Sequence, residues 1–453
     1  MKELRILSPT AILGYGFPLA SFEAGMEREP HVIAVDAGST DPGPFYLGAG
    51  ISFTDRNSVK RDLEIMIPAG INAKIPVIIG SAGGAGGRPH VELTLDIIKE
   101  IAKEKKLNFK LAVIQSEFDK DFIRKEFLKG NISPLYPAEE LTEDAIDQAV
   151  RIVAQMGEEP FIEALNSGAD VVLAGRSYDP SVFACLAVRE GFDKGLALHL
   201  GKILECAAIT CIPGSGSDCM FGYLREDGFI LEPLSPERKC TTLSVAAHTL
   251  YEKTNPYELP GPGGKLNLYN TSFEQISDNR VFVTGTKFES TQEYAVKLEG
   301  VRRVGFRTIS CAATKDPIMI ENIDDIVANV RKRVDDNFKH YDLTYFLDFK
   351  IYGKNGVMSL FEGLNNPLSH ELMIIIEAVA PTQDLADTIC GFTRSTMLHY
   401  GYEGRISTAG NLAFPFSPSD CKVGEVFEFS IYHLLKVADP LQPFPIEYLD
   451  IKN

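Results

Sequence analysis

The sequence predicts an α/β protein with an N-terminal doubly wound, mostly parallel sheet and a second, α+β domain. In the first half, short β-branched runs alternate with Gly-rich or polar loops and helical patterns, which is typical of a parallel sheet covered on both faces. In the second half the runs resemble antiparallel pairs. The Pro- and Gly-rich segment PYELPGPGGK between them predicts a domain boundary, giving domains of residues 1–255 and 256–453.

Each element of the N-terminal half is predicted from its own pattern. Strands are continuous apolar runs that end in Gly-rich or polar loops, as buried strands of a parallel sheet do. Helices are runs with apolar residues close to helical spacing. The predicted strands span residues 31–35, 75–80, 109–115 and 170–174, and the predicted helices span residues 91–105, 142–156, 161–166 and 181–190.

The C-terminal half is predicted to be α+β because its helices and paired strands lack the parallel rhythm. Residues 322–336 and 383–397 have the spacing of helices. Four segments, KLNLYN, RVFVTGTKF, EYAVKLEGV and RRVGFRTIS, are typical of antiparallel pairs. ELMIIIEAVA and EVFEFSIYHLL are predicted as later strands.

Composition and charge narrow the classes of function. The chain has 453 residues, with 45 Lys and Arg against 62 Asp and Glu, and a formal net charge of −17. Because this charge repels phosphate backbones and anionic lipid, we expect neither nucleic acid nor a membrane as a partner. No apolar run of about 18 residues indicates a membrane span, and we expect no signal peptide. Eight dispersed cysteines without a CxxC pair favour a reducing cytoplasm.

Three strand ends carry the chemistry of interest, since ligands of parallel α/β sheets bind outside the carboxyl ends of the strands. In the first, Asp36 and Asp41 flank Ser39 and Thr40. These groups could orient a polar substrate, act as a base or hold a hard cation. A turn in which they satisfy their own backbone is an equal alternative. The DxGST pattern is also similar to the phosphate loop of sugar kinases, but the prolines that follow disfavour the second strand that loop needs.

The second strand end is a glycine-rich loop between a strand and a helix. Gly83, Gly84, Gly86 and Gly87 would let backbone N–H groups approach an anion at the helix N-terminus, and Arg88 adds positive charge. The dinucleotide-binding fingerprint fails because Pro stands where its third glycine is required. We expect a phosphate, a carboxylate or a coenzyme A pyrophosphate here. The alternative is a glycine turn packed against neighbouring backbone.

The third strand end follows the run at residues 170–174. Arg176 lies two residues beyond that strand, where its guanidinium can bind a carboxylate through two nitrogens. Asp179 precedes Pro180 at the predicted start of a helix, so helix capping is the alternative to ligand binding. We expect Arg176 to project into the ligand crevice and Asp179 to belong to the same anion-binding group.

A fourth segment, beginning at His199, offers an acid/base pair. On a helix His199, Lys202 and Cys206 share one face at i, i+3 and i+7, with Glu205 beside them. His199 and Glu205 are the candidates for proton transfer, while buried Cys and solvated Lys are the usual states of the other two. No HxH, HExxH or acidic cluster has metal-ligand spacing, so no metal is expected.

Several motifs together resemble one known family. They are GYGF at 14–17, DAGSTDPGPFYLG at 36–48, GSAGGAGG at 80–87, LAGRSYDPS at 173–181, HLGKILECAA at 199–208 and AGNLAFPFSPSD at 409–420. In combination they resemble the acyclic terpene utilisation AtuA family over essentially the whole chain. That family is named after a bacterial gene cluster that degrades citronellol and geraniol through acyl-CoA intermediates. The resemblance implies such a catabolic setting and assigns no catalytic residue.

Two functions agree with these patterns. The first is a catabolic enzyme, a hydro-lyase or isomerase, that acts on a small carboxylate or acyl-CoA by acid/base proton transfer. The second is a non-catalytic ligand-binding or assembly subunit of a multi-protein complex. The sequence requires no cofactor beyond the CoA moiety of a substrate, and we expect a homo-oligomer, with a small partner subunit as a further option. The candidates are Arg88 and Arg176 for substrate binding and Asp36, Asp41, His199 and Glu205 for proton exchange.

Overall fold

The computed structural model describes residues 2–38, 43–251, 254–341, 344–363, 369–406 and 410–452. The chain forms two compact units. Unit 1 comprises Met1–Arg302 with Phe429–Asn453, and unit 2 comprises Arg303–Glu428. The secondary structure is mixed α/β, with one large mixed sheet. Among the described residues, no helix has both the length and the apolar character needed to cross a membrane.

The elements are numbered in chain order. The strands are β1 (Glu3–Ser8), β2 (Val32–Asp36), β3 (Val77–Gly80), β4 (Phe109–Ile114), β5 (Ile132–Pro134), β6 (Ala149–Ala154), β7 (Val171–Ala174), β8 (Met220–Arg225), β9 (Phe229–Pro233), β10 (Glu258–Gly261), β11 (Gly264–Asn267), β12 (Ser272–Gln275), β13 (Val281–Thr284), β14 (Lys287–Ser290), β15 (Ala295–Thr314), β16 (Phe346–Tyr352), β17 (Leu372–Ala380), β18 (Asp420–Lys436) and β19 (Ile446–Ile451). The helices are α1 (Leu19–Glu27), α2 (Phe45–Ala49), α3 (Arg56–Ala73), α4 (Arg88–Lys105), α5 (Lys120–Leu128), α6 (Glu143–Gln148), α7 (Glu159–Asn166), α8 (Asp179–Arg189), α9 (Lys194–Leu204), α10 (Thr242–Leu250), α11 (Pro317–Glu321), α12 (Ile323–Phe338) and α13 (Gln383–Leu398).

Unit 1 is built on a ten-stranded sheet with the order β12-β13-β9-β8-β1-β2-β3-β7-β4-β19. Its centre, β1-β2-β3-β7-β4, is parallel. The flanking strands pair antiparallel. The sheet is therefore mixed, and the predicted mostly parallel sheet corresponds to its centre only. The reason is local: β8 and β9 are joined by the three residues 226–228, too few for the crossover that a parallel pair needs.

Two hydrophobic cores lie on the two faces of this sheet. Side chains of successive strand residues alternate between faces, so that Val32 and Ala34 belong to one core and Ile33 and Val35 to the other. Helices α3 and α4 supply the second core, while α8 and α9 supply the first. Burial on both faces explains why the central strands are continuous apolar runs. Because both faces of the sheet are buried, polar side chains that could bind a ligand are expected at the carboxyl ends of the strands.

One helix prediction is wrong in its second half. The structure has a short helix, α6, followed directly by the strand β6, where the sequence pattern predicts one helix over 142–156. The segment AVRIVA has β-branched residues at alternate positions, and it pairs antiparallel with residues 298–302 of β15. Tertiary pairing therefore overrides the local helical spacing.

The segment near residue 256 lies within unit 1. Strands β10, β11 and β14 form a three-stranded sheet there, and β12 and β13 extend the large sheet. Strand β13 pairs with β9, which links β12 and β13 to the N-terminal part of the chain. The compact units divide at 302/303 and 428/429, and the domain boundary at 255/256 stays a prediction. Strand β15 is continuous where the sequence suggests two antiparallel strands.

Unit 2 is an antiparallel α+β layer. Residues 306–314 of β15 pair with β17, which also pairs with β16. Helices α12 and α13 pack with this sheet around a core that includes Val330, Ile376 and Ile389. The apolar positions of α12 recur at helical spacing and face that core.

Candidate functional site

The carboxyl ends of three neighbouring parallel strands bring together side chains that the sequence singles out. Strands β2, β3 and β7 are adjacent in the large sheet, and Asp36 at the end of β2 pairs in register with Gly80 at the end of β3. Ser81 follows β3 directly, and Arg176 follows β7 by two residues. The parallel topology therefore places Asp36, Ser81 and Arg176 at one edge of the sheet.

Arg176 is the centre of this group. Its side chain is 4% exposed; Nε donates to Glu299 Oε2 at 2.8 Å, and Nη1 donates to Asp179 Oδ1 at 3.0 Å and to Ser81 Oγ at 3.2 Å. Within the described part of the chain, Nη2 donates to no residue. Burial opposes the charged form, but Glu299 and Asp179 hold the pKa of Arg176 above its ordinary value. Arg176 is therefore a fixed cation.

Asp36 is a buried carboxyl with unused hydrogen-bonding capacity. It is 2% exposed, and its Oδ2 accepts the backbone N–H of Gly38 at 2.6 Å. Oδ1 has no partner among the residues that the structure describes. Burial raises the pKa of Asp36 well above its ordinary value, and Asp179 raises it further, while Arg176 lowers it. Burial outweighs the opposing effects of Arg176 and of the hydrogen bonds with Gly38 and Ser81, so the neutral acid is favoured.

Gly38 packs closely against these groups. A Cβ built on Gly38 would lie 2.6 Å from Arg176 Nη1, 2.7 Å from Asp36 Oδ2 and 2.8 Å from Ser81 Oγ. Glycine is therefore required here, because a side chain would collide with a cation, a carboxyl and a hydroxyl. Gly38 is half-buried and the Asp179 side chain is 32% exposed, so this side of the group reaches solvent.

Glu299 belongs to the same group, and sequence reasoning missed it. Its side chain is 7% exposed, and besides Arg176 it binds Lys297 Nζ at 2.7 Å and Gln155 Nε2 at 3.1 Å. Burial would raise the pKa of Glu299, but Arg176 and Lys297 lower it to about 2. The signal was a glutamate within the apolar run LEGV of a strand. We call Asp36, Ser81, Arg176, Asp179 and Glu299 the strand-end cluster.

The strand-end cluster holds carboxyl groups whose pKa values are shifted in opposite directions. Glu299 is ionised beside Arg176, whereas the environment of Asp36 favours the neutral acid. Carboxyls whose surroundings push their pKa values apart are the usual basis of general acid and base roles. The arrangement can therefore fix an anionic group near Arg176 and exchange a proton through Asp36.

The glycine-rich loop is packed against neighbouring backbone. A Cβ on Gly86 would lie 2.1 Å from the backbone N of Arg176, and Gly83 and Gly84 approach the side chains of His90 and Phe53 in the same way. These contacts are those of a glycine turn packed against Arg176. Such a turn is the alternative that the sequence analysis gives for this loop. Gly86 therefore positions the strand-end cluster, whatever else the loop binds.

The N-terminus of α4 already has an acidic partner. The backbone N–H of Arg88 donates to Glu117 Oε2 at 2.6 Å, and a Cβ on Gly87 would lie 3.1 Å from the same oxygen. The Arg88 side chain is 52% exposed and lies 3.8 Å from Asp119. A carboxylate of the chain itself thus occupies part of the predicted anion position, while the Arg88 guanidinium stays at the surface.

His199 lies in a different environment. It is fully buried, with Nδ1 2.7 Å from Thr286 Oγ1 and Nε2 3.0 Å from Thr249 Oγ1. Phe229 meets its ring edge-on at 5.0 Å. Burial lowers the pKa of His199 to about 3. Both nitrogens are satisfied, so His199 is a neutral residue that links three elements of the core.

Glu205 and Cys206 follow α9 rather than lie on it. The helix ends at Leu204, so Cys206 does not share a helical face with His199 as predicted. Glu205 binds the buried Lys202 at 2.6 Å. Burial and then the charge of Glu205 raise the pKa of Tyr178, which is next to Asp179 in sequence. Glu205 thus lies near the segment that carries Tyr178 and Asp179, whereas His199 bonds to Thr286 and Thr249.

Two remaining predictions concern Asp41 and metal binding. Asp41, with Ser39 and Thr40, lies outside the described residues. Within the described residues, no group of three or more His, Cys, Asp or Glu side chains has an arrangement that could hold a metal ion.

Comparison with known proteins gives one match. The model of a family described as "Acyclic terpene utilisation family protein AtuA" matches residues 56–215 and 228–412, which is more than half of the chain. The matched ranges include Arg176, Asp179 and Glu299, while Asp36 precedes them. No curated protein and no solved structure matches significantly.

Proposed function

The chain belongs to the acyclic terpene utilisation family AtuA, and we propose that it is a catabolic enzyme that moves a proton on a small carboxylate or its CoA thioester. Family membership suggests a role in the catabolism of acyclic terpenes. The proposal adds a reaction class, a hydro-lyase or isomerase, and a place for it, the strand-end cluster. Its substrate would be an acid with a carbonyl group beside the carbon that gains or loses the proton.

One observation carries the proposal: Asp36 is buried, its Oδ1 has no partner in the described chain, and its pKa is raised well above the ordinary value. Buried polar groups are rarely left without partners in native proteins, and exceptions call for a functional explanation. A neutral carboxyl of this kind can donate a proton to a substrate oxygen or carbon. In this scheme Arg176 would hold the carbonyl or carboxylate oxygen through Nη2.

Two further carboxyls, Asp179 and Glu299, complete the proposed reaction. Asp179 is partly exposed and lies 3.0 Å from Arg176 Nη1, where it faces the open side of the cluster. A base at this position could take a proton from the substrate while Asp36 returns one. Glu299 is held by two cations, so in this scheme it fixes the orientation of Arg176 and does not exchange protons.

Solvent deuterium exchange tests the reaction class before the substrate is known. Branched acids, hydroxy acids and their CoA thioesters are incubated with the protein in D₂O, and mass spectrometry measures deuterium gained at carbon. We expect at least one candidate to exchange and Asp36→Asn to lower the rate by at least 100-fold. Asp62→Asn is the matched control, because Asp62 is also buried and also accepts backbone N–H groups, those of Gly14 and Gly16.

A thermal-shift screen of the same compounds separates binding from turnover. A compound that raises the melting temperature of wild-type protein, without exchange, would favour the non-catalytic ligand-binding or assembly subunit instead. Equal exchange by wild-type protein and Asp36→Asn would contradict the assignment of the acid.

A further inference from the structure

Three buried sulfur atoms lie together in unit 1, away from the residues discussed so far. Cys211 Sγ is 3.8 Å from Cys240 Sγ and 3.8 Å from Met220 Sδ. Cys211 is 4% exposed, and Cys240 and Met220 are fully buried. We call these residues the sulfur cluster. The two cysteines are 29 residues apart in sequence, so their proximity comes from the fold.

A backbone pairing brings the two thiols face to face. Ile212 and Lys239 form an isolated antiparallel bridge, in which each N–H donates to the other's carbonyl, at 2.8 and 3.1 Å. In an antiparallel pair, the residues next to such a hydrogen-bonded pair are opposite each other without hydrogen bonds, and their side chains are the closer ones. Cys211 and Cys240 occupy these positions.

The alternation of side chains along β8 places Met220 in the sulfur cluster and Cys219 outside it. Met220 begins β8 and belongs to the same core as Cys211 and Cys240, whereas its neighbour Cys219 belongs to the core on the other face of the sheet. Side chains of successive strand residues point to opposite faces. The cluster thus contains two thiols and one thioether.

We propose that Cys211, Cys240 and Met220 form a binding site for a soft monovalent metal ion of the copper(I) type. Two sulfurs 3.8 Å apart can both lie about 2.3 Å from one ion, the length of a metal–thiolate bond. Thiolate and thioether ligands together select copper(I) over harder ions. A structural zinc site usually has four Cys or His ligands, and no such set occurs among the described side chains.

Binding requires the thiol protons to leave. The hydrogen bond with Cys211, and then burial, raise the pKa of the Cys240 thiol, so the free protein holds this proton. A coordinating thiol is deprotonated by the metal ion itself, and each proton is released to solvent as its sulfur binds. Two thiolates and one monovalent cation leave one negative charge.

A surface groove lies beside the backbone pair that joins the two cysteines. The groove of about 400 Å³ is lined by Ile212, Pro213, Arg238 and Lys239, among others. Ile212 is 45% exposed. The two cysteines are the immediate sequence neighbours of this bridging pair.

Silver(I) is a suitable probe, because it is soft and monovalent and does not change oxidation state under the conditions of the test. Reduced protein is equilibrated with one equivalent of Ag⁺ in millimolar glutathione, which removes silver from weak thiol sites. Bound metal is then measured after gel filtration. Wild-type protein is expected to retain about one silver per chain. Cys211→Ser and Cys240→Ser should each retain at least tenfold less, and Met220→Leu should bind several-fold more weakly.

Cys219→Ser is the matched control, since Cys219 is equally buried and adjacent to Met220 but faces the other core. It should retain silver as wild type does. Melting temperatures without metal identify variants that lose structure, and Met220→Leu keeps the side-chain volume and so tests the site in a packed core. Retention of silver by both serine variants at the level of Cys219→Ser would overturn the proposal. Formation of a Cys211–Cys240 disulfide in place of metal binding would overturn it too.

Discussion

Asp36 and His199 are both fully buried polar groups that the sequence marks as candidates for proton transfer, yet their surroundings are opposite. His199 has hydroxyl partners at both nitrogens and an aromatic ring at its side. Asp36 has one oxygen without a partner in the described chain. Burial shifts the pKa of each toward the neutral form. Both groups are thus buried with shifted pKa values, and they differ in whether the described chain satisfies their hydrogen-bonding capacity.

The largest expected effect is a loss of stability on removal of Arg176, the cation of the strand-end cluster. Arg176→Ala leaves the buried Glu299 with only one of its two cations, Lys297, and the loss of one partner from a buried pair destabilises a protein by about 3–5 kcal/mol. Urea unfolding measures the change. Replacing both members, as in Arg176→Met with Glu299→Leu, should recover much of the stability but not ligand binding. A loss below about 1 kcal/mol for Arg176→Ala would mean that Lys297 alone balances Glu299.

The second effect tests whether His199 is structural. His199→Gln leaves one or both threonine hydroxyls with poorer partners, so it should destabilise unit 1 by about 1–3 kcal/mol while the exchange rate of folded protein stays unchanged. Loss of exchange in a variant that is still folded would restore His199 as a candidate for proton transfer.

The pH dependence of stability gives a second readout for the same variant. The pKa of His199 is lowered to about 3 in the folded state, so between pH 3 and 6.5 the unfolded chain binds the extra proton. Stability should therefore rise with pH across this window, by up to about 1.4 kcal/mol per pH unit for one such group. His199→Gln removes its share only, because burial lowers the pKa of His248 to about 3 as well.

The contrast also shows where sequence reasoning succeeds. The sequence places Asp36 and Arg176 each at the end of a predicted strand because both follow apolar runs, and adjacent parallel strands present their carboxyl ends at one edge. His199 could not be separated from Asp36, since the threonines that satisfy it are 50 and 87 residues away. Local patterns identify the type of a residue and its element. They carry no information on which hydrogen bonds a distant segment completes.

Glu299 was missed for a related reason. It lies on β15 opposite Val153 of β6, and the segment that contains β6 has helical spacing in the sequence. Without that strand, nothing brings residue 299 near Arg176. One error in secondary structure therefore removed one carboxylate from the predicted site.

The third effect is smaller and has the opposite sign with pH. The pKa of Asp36 is raised in the folded state, so its stabilising contribution is complete below about pH 4 and is lost as the pH rises through the folded-state pKa. Asp36→Asn cannot ionise and should abolish this fall. At neutral pH we expect the variant to equal or exceed wild type by up to about 1 kcal/mol. Unfolding curves of both proteins from pH 4 to 9 measure this, and a variant that is less stable throughout would mean that the carboxylate is the folded form.

The smallest expected effect concerns Arg88, which the sequence groups with Arg176 as a second anion anchor. Its side chain is half exposed and 3.8 Å from a largely solvated Asp119, so Arg88→Ala should change stability by less than about 0.5 kcal/mol. The change in ligand affinity is the more useful measurement. An anion that spans the glycine-rich loop, such as a CoA pyrophosphate, would lose affinity about tenfold in Arg88→Ala, whereas a free acid held by Arg176 alone would not. The N-terminus of α4 is already bonded to Glu117, so we expect the affinity for free acids to be the same in Arg88→Ala and wild type. If Arg88→Ala binds only CoA thioesters more weakly, the Arg88 side chain, and not the backbone of the glycine-rich loop, holds the pyrophosphate.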